Sequence, residues 1–211
     1  MMNRCQRISH SSTYTKSPAQ STVSRDRHYT WLALLVASCI FVAVPRQVHA
    51  REQRWVLIDT KTATIQVMRG DRIVIRYADI AVGRRGTSPL HMAGDDTTPL
   101  GTYHVNAIKH GGNYRIFISL DYPTIVHAAQ ALKQQKITRP QYLQIAEAFD
   151  QGRPPPADTP LGGAIGIHGI GGGNLQVHTE FNWTHGCVAL DNRQIADLAS
   201  RIRLGTRVVI R

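Results

Sequence analysis

From Arg54 onward the chain is written in short β-branched runs separated by turn residues, and this rhythm limits what it can become. Residues 55–58 are a compact apolar run, residues 63–68 alternate, Arg69-Gly70-Asp71 marks a turn, and residues 72–82 (RIVIRYADIAV) are again β-branched. Apolar side chains that recur every second residue fall on one face of a strand, and two such runs about a Gly-Asp turn read as a hairpin. Residues 102–109 and 114–120 repeat the arrangement around His110-Gly111-Gly112-Asn113, and residues 206–210 close as a last strand. The expectation is a mainly β domain in which these runs are scaffold.

The period changes between residues 123 and 152. Ile125, Ala128, Ala129 and Leu132 recur at helical spacing. Thr138-Arg139-Pro140-Gln141 then offers an N-cap, a first-turn proline and a capping-box glutamine. The stripe Tyr142, Ile145, Ala146 and Phe149 follows and ends at Gly152. This helical insertion reads as a flap or buttress. Three successive prolines from Pro154 enforce an extended path. Asp191 with Gln194 then starts a C-terminal helix through Ile195, Leu198, Ala199 and Ile202. Residues 83–98 are a loop by composition, either the border of a substrate groove or a solvated connection.

Ahead of this domain, residues 1–24 are too polar for a core. Arg25, Arg27 and His28 precede the apolar run 31–44 (WLALLVASCIFVAV), followed by Pro45 and Val48-His49-Ala50. This pattern describes a secretory signal peptide cut after Ala50. The run is short for a bilayer span of about 20 residues, and an uncleaved membrane anchor is the main alternative. Val36-Ala37-Ser38-Cys39 resembles a lipobox, but the apolar run continues past Cys39. The expected division is therefore an extension over 1–50 and a domain over 51–211, exported to the periplasm or cell envelope. From Arg51 onward 19 Lys and Arg stand against 13 Asp and Glu, a balance of +6. That suits an anionic envelope polymer, a membrane surface, or simply a solvated exterior. No run of like charges or interleaving of arginine with aromatics points to nucleic acid.

Cys5 and Cys39 fall in the extension, which leaves Cys187 as the domain's single cysteine. It has no internal disulfide partner, and a free thiol in an oxidising compartment is open to damage. One retained in a polar Thr184-His185-Gly186 setting reads as a nucleophile rather than a buried hydrophobe. Residues 164–168 read as a strand ending at His168, and residues 188–190 as a strand starting beside the cysteine. Side chains at two neighbouring strand ends can meet, which would let an imidazole hold the sulfur as thiolate. Gly186 permits a tight bend whose amides suit an oxyanion hole. His178 and His185 are further candidate bases that chemistry alone leaves open. A zinc site from His168, His178, His185 and Cys187 is chemically conceivable, although the spacings match no common zinc motif. His91, His104, His110 and His127 read as structural.

His168, fifteen residues, then Thr184-His185-Gly186-Cys187 resembles the signature of the YkuD-type L,D-transpeptidases, a His followed after about that interval by Ser/Thr-x-Gly-Cys. Residues 55–71 resemble the family's first hairpin, and Thr98-Pro99-Leu100-Gly101-Thr102-Tyr103 resembles its Thr-Pro-x-Gly-x-aromatic turn. The resemblance runs from about Arg54 to Arg211. It implies a YkuD-like β-sandwich with a helical insertion and a C-terminal helix. It further implies Cys187 as nucleophile and His168 as general base, oriented by the Gly169 carbonyl. Thr184, His185 and Gly186 would line the site and shape the oxyanion hole.

The implied substrate is a peptidoglycan stem peptide. The implied acceptor is a second stem peptide or a lysine of an envelope protein, and no metal or organic cofactor is needed. Many members carry Arg or Asn shortly after the cysteine, whereas this chain has Val188-Ala189-Leu190-Asp191-Asn192. Recognition of a substrate carboxylate therefore falls to Arg84, Arg85 or Arg115. Two other readings stay open: water as acceptor, giving an L,D-carboxypeptidase, and a non-catalytic wall-binding module.

Overall fold

The computed structural model describes residues 53–211; the extension, with its signal-peptide or anchor reading and Cys5 and Cys39, lies outside the described residues. Strands β1 (Arg54–Asp59), β2 (Thr64–Arg69) and β3 (Arg72–Tyr77) form a meander. Two short strands follow, β4 (Thr87–Ser88) and β5 (Thr98–Pro99), then β6 (Gly101–His110) and β7 (Ile116–Leu120). The helical insertion contributes α1 (Ile125–Lys133) and α2 (Arg139–Asp150). After it come β8 (Gly166–Gly169), α3 (Leu175–Glu180), β9 (Val188–Leu190), α4 (Asn192–Arg201) and β10 (Arg207–Ile210). No helix among the described residues is long and apolar enough to cross a membrane.

Eight strands form one sheet in the order β3-β2-β1-β10-β6-β7-β8-β9. The sandwich is this single sheet curled on itself. Just beyond edge strand β3, Ala81 exchanges two backbone hydrogen bonds with Ala189 of the opposite edge strand β9, at 3.2 and 2.8 Å. Val56, Ile58, Ile65 and Val67 from one half share a core with Ile118, Leu120, Ile167 and Leu190 from the other, capped by Ile195 and Leu198 of α4. Both capping boxes read from sequence are present, Thr138 with Gln141 on α2 and Asp191 with Gln194 on α4.

Three expectations are corrected locally. The third strand stops at Tyr77 rather than Val82, because Asp79 takes φ +58° and turns the chain out of the sheet. Arg115 at φ +62° likewise delays β7 to Ile116. On the insertion, the buried helical faces are His127, Ala128 and Ala131 on α1 and Ile145 and Ala148 on α2, while Phe149 is exposed. These faces close over Ile137 and Leu161 in a second small core, against which Leu90 and Met92 of the 83–98 loop pack. The insertion is thus a buttress for that loop.

His127, His168 and His178 are buried, and burial, which penalises the charged ring, holds each below the ordinary histidine range. Below about pH 6.5 the unfolded chain accepts protons that the folded chain refuses, so stability falls as pH drops through that range. The melting temperature should decline from about pH 6.5 downward. A melting temperature unchanged from neutrality to about pH 5 would contradict this coupling.

Candidate active site

Cys187 stands immediately before β9, and β9 pairs in parallel with β8 in the register Ile167↔Val188, His168↔Ala189. Side chains two apart on a strand share a face, so Cys187 lies on the face of Ala189 and is the diagonal neighbour of His168. That spacing is within reach of long or aromatic side chains. Gly186 reaches the strand at φ +128°, a backbone conformation that an L side chain rarely adopts. A Cβ there would lie 2.8 Å from the Thr97 carbonyl and 3.3 Å from His91.

His168 is fixed from one side by a hydrogen bond and from three sides by rings. Its Nδ1 is 2.9 Å from the Gly169 carbonyl. A carbonyl only accepts, so Nδ1 carries the proton and Nε2 of the neutral ring is the free base. Tyr114 lies 4.2 Å from the imidazole centroid, Phe117 stacks at 6.0 Å and 9°, and Trp183 meets it edge-on at 5.7 Å. Burial lowers its pKa, which the Gly169 carbonyl opposes and nearby His178 reinforces. The Gly169 loop is clamped by Asn192: its Nδ2 donates to the Gly171 carbonyl at 2.7 Å, and its Oδ1 accepts from the Gly171 N–H at 2.9 Å. Gly169 has no room for a Cβ, which would sit 2.8 Å from both Asn192 Oδ1 and the Tyr114 carbonyl.

The thiol differs from expectation. The Cys187 S–H donates to the Ala164 carbonyl at 3.5 Å rather than to His168. The thiol is only half-buried, yet the strands packed around it push its pKa up to about 11, partly opposed by a backbone hydrogen bond from Gly166. The surrounding strands and rings thus disfavour charge on both groups, raising the thiol pKa and lowering that of the imidazole. Thr184 is the hub of the cysteine turn: its hydroxyl donates to the Cys187 carbonyl at 2.6 Å and accepts the Gly186 N–H at 3.1 Å. The Gly186 amide is consequently engaged, not free for an oxyanion.

His185 faces elsewhere. Its Nδ1 is 2.6 Å from Asp96 Oδ1 and its Nε2 is 2.9 Å from the Arg84 guanidinium, with three-quarters of the side chain exposed. The hydrogen bond from His185, with the charges of Arg84, His185 and Arg85, holds the Asp96 carboxyl below the usual range. His178 is tied to Trp183, whose Nε1 donates to its Nδ1 at 3.3 Å. The four residues of the zinc alternative thus have separate attachments, and no group of three metal-ligating side chains is assembled among the described residues.

The 83–98 loop is bound to the cysteine turn directly. Gly83 bridges Thr184, and the Arg84 N–H donates to the Thr184 carbonyl at 3.0 Å. Of the three arginines named from sequence, Arg84 is therefore beside the turn. Arg85 is exposed on the loop, its N–H bonded to the Asp96 carbonyl at 3.1 Å. Arg115 borders a depression that shares Asn113 and Gly172 with the cavity beside Trp183. Sequence reasoning missed the aromatic wall, Asn192 and helix α3. A cavity of about 440 Å³ beside His168 is lined by Tyr114, Ile170, Asn174, Val177 and Trp183, and α3 forms one side of it. The available signals were Trp183 directly ahead of the cysteine motif and Asn174, whose side chain caps α3 by accepting the Val177 N–H at 3.1 Å.

The family model of the YkuD L,D-transpeptidase catalytic domain matches residues 53–210. Comparison with curated proteins finds no match. Among solved structures, the helical cell shape determining protein Pgp2 from Campylobacter jejuni is similar at 21% identity and TM-score 0.51, over 75% of this chain and 47% of that one. Bd1075 from Bdellovibrio bacteriovorus is similar at 17% identity and TM-score 0.48, over 78% and 50%. A mutant of the Enterococcus faecium L,D-transpeptidase is similar at 11% identity and TM-score 0.44, over 76% and 50%. The chain spans about half the length of these structures, and the first of them establishes likeness of fold.

Two measurements probe the geometry. Iodoacetamide should alkylate Cys187 slowly near neutrality, with a rate still climbing toward about pH 11. A plateau reached before pH 8 would reveal a resting thiolate instead. Asn192→Ala removes both bonds to Gly171 and should destabilise the fold by about 1–3 kcal/mol in denaturant unfolding.

Proposed function

This chain belongs to the YkuD family of L,D-transpeptidase catalytic domains, and from that premise we propose that it transfers acyl groups on peptidoglycan stem peptides through a Cys187 thioester. The observation that carries the reading is the pairing of β8 with β9, which sets Cys187 diagonally beside a His168 whose Nε2 is unprotonated.

In this mechanism the Cys187 S–H turns from the Ala164 carbonyl to His168 Nε2. The proton passes to the imidazole as sulfur bonds to the carbonyl carbon that follows the L-centre at the third stem position. The tetrahedral oxyanion collapses with cleavage of the C–N bond, and the imidazolium returns its proton to the departing amine of the D-residue. An acceptor amine, from a second stem peptide or an envelope-protein lysine, then attacks the thioester. It loses its proton through His168 to the regenerated thiol. The raised thiol pKa and lowered imidazole pKa favour this route, since a neutral pair needs no prior ionisation and the base stays available at neutral pH. The aromatic cavity holds the stem, and the substrate carboxylate is read by Arg84, Arg85 or Arg115. The site works outside the cytoplasm, in the periplasm or cell envelope, with residues 1–50 as the exporting or anchoring extension and 51–211 as the catalytic domain.

Incubation with muropeptides, read by mass spectrometry, should yield crosslinked dimers; shortened stems alone would identify a hydrolase, and no change at all would sink the enzymatic reading. Cys187→Ala should abolish every product, and His168→Gln should lower kcat/KM by about 10²–10⁴-fold. The acid limb of kcat/KM should lie below the ordinary histidine range near pH 6.5. Tyr114→Ala opens the ring to water and should move that limb to higher pH.

A further inference from the structure

A second assembly of charge lies on strands that carry none of the acyl-transfer residues. Arg54 of β1 is the cross-strand partner of Arg69 of β2, and Arg69 is in turn the partner of Arg72 of β3. Residues directly opposite in a ladder project to the same face, and like charges so placed are destabilising. Three guanidiniums in one row across three strands therefore weaken the sheet that carries them.

The surroundings add charge instead of cancelling it. Arg54, Arg69 and Arg203 line an open groove of about 430 Å³, and an adjoining groove of about 530 Å³ shares Arg54 and adds Arg207 and Asp71. Arg201, also in the first groove, is neutralised by two 2.8 Å bonds to Asp197. No carboxylate among the described residues pairs with the other five arginines. Two of them are oriented by neutral groups: Arg54 Nη1 donates to the Arg201 carbonyl at 3.3 Å, and the Arg207 guanidinium lies 4.4 Å above the Trp55 ring. Trp55 is itself held by donation from Nε1 to the Gly70 carbonyl at 2.9 Å. A carbonyl and a ring face fix a guanidinium while leaving its charge to a ligand, and planar guanidinium forks match phosphate oxygens.

Position in the chain selects the source of that phosphate. Gln53 lines both grooves, and the apolar run of residues 31–44 ends just upstream. Residues 45–53 span at most about 30 Å when fully extended. Where the apolar run is retained as the anchor rather than cut off after Ala50, a bilayer that holds it lies within that covalent reach of Arg54. We propose that the row of Arg54, Arg69 and Arg72, with Arg203 and Arg207, binds the phosphate headgroups of anionic phospholipids and seats the domain on the membrane surface.

The test compares the full chain with its Arg54→Gln/Arg69→Gln/Arg72→Gln variant. Both are sedimented with vesicles of phosphatidylcholine alone or mixed with phosphatidylglycerol. The apolar run and the basic residues of the extension are common to both proteins, so a difference between them reports the row. At low salt the parent should bind phosphatidylglycerol vesicles about a hundredfold more tightly than the variant, at about fivefold per arginine. The gap should close at high salt, and both proteins should bind phosphatidylcholine alike. Equal binding of parent and variant to phosphatidylglycerol vesicles overturns the proposal. So does a row-dependent affinity for soluble polyphosphate without one for the vesicles, which would make the row a reader of soluble phosphate. Muropeptide turnover of the variant should match the parent, and its melting temperature should be no lower, since the repulsion within the row is gone; should the triple change prevent folding, Arg203→Gln/Arg207→Gln is read by the same criteria.

Discussion

Parallel strands cannot be joined by a tight turn, so pairing β8 with β9 obliges the chain to leave the sheet after Gly169 and return at Val188. Everything at the site follows from that excursion. It carries Asn174 and α3 out to form one side of the aromatic cavity, and it brings Trp183 back against His168. It then delivers Cys187 to the start of an edge strand. The edge is not left open, because Ala81 pairs with Ala189 and closes the curl of the sheet. Cys187 thus sits two residues ahead of Ala189, where the two ends of one sheet approach.

The same burial that builds this corner decides its electrostatics. A cysteine poised by ion pairing would be a thiolate at rest and exposed to oxidation. Here the surroundings disfavour charge on the sulfur and on the imidazole alike. In the proposed mechanism, charge would separate only at the moment of attack, as one proton moves from sulfur to imidazole. The Gly169 carbonyl fixes the tautomer, and in that mechanism it would also steady the imidazolium.

Support for the cysteine turn comes from the insertion. Helices α1 and α2 bring Ala128, Ala131 and Ile145 together with Ile137 and Leu161, and Leu90 and Met92 pack against that cluster. The loop so held carries Asp95, on which burial acts to raise the pKa. The amides of Met92 and Thr97 and the Thr97 hydroxyl outweigh that and keep its carboxyl below the usual range. Asp96 beside it engages His185, and the Thr97 carbonyl lies under Gly186. A helical pair far from the thiol in sequence thereby fixes the floor beneath it.

Much of this was legible in the residues. The alternating runs announced the strands, Thr138 with Gln141 and Asp191 with Gln194 announced two helix starts, and one cysteine after a spaced histidine announced the family. These are local signals, set by period, capping and composition. What escaped was positional. Positive φ at Asp79 and Arg115 shortened two strands, and tertiary burial overrode the stripe that placed Phe149 inside. The choice between His168 and His185 illustrates the difference. Sequence offered both near Cys187 and favoured His168 only by resemblance. The tertiary structure turns His185 outward to Asp96 and Arg84, and sets His168 within three rings with its Nε2 free. Sequence by itself determined which elements form and which reactive groups exist; the closing of the sheet decided which groups face each other and in which protonation state, because solvent access and neighbouring dipoles exist only once the strands have packed.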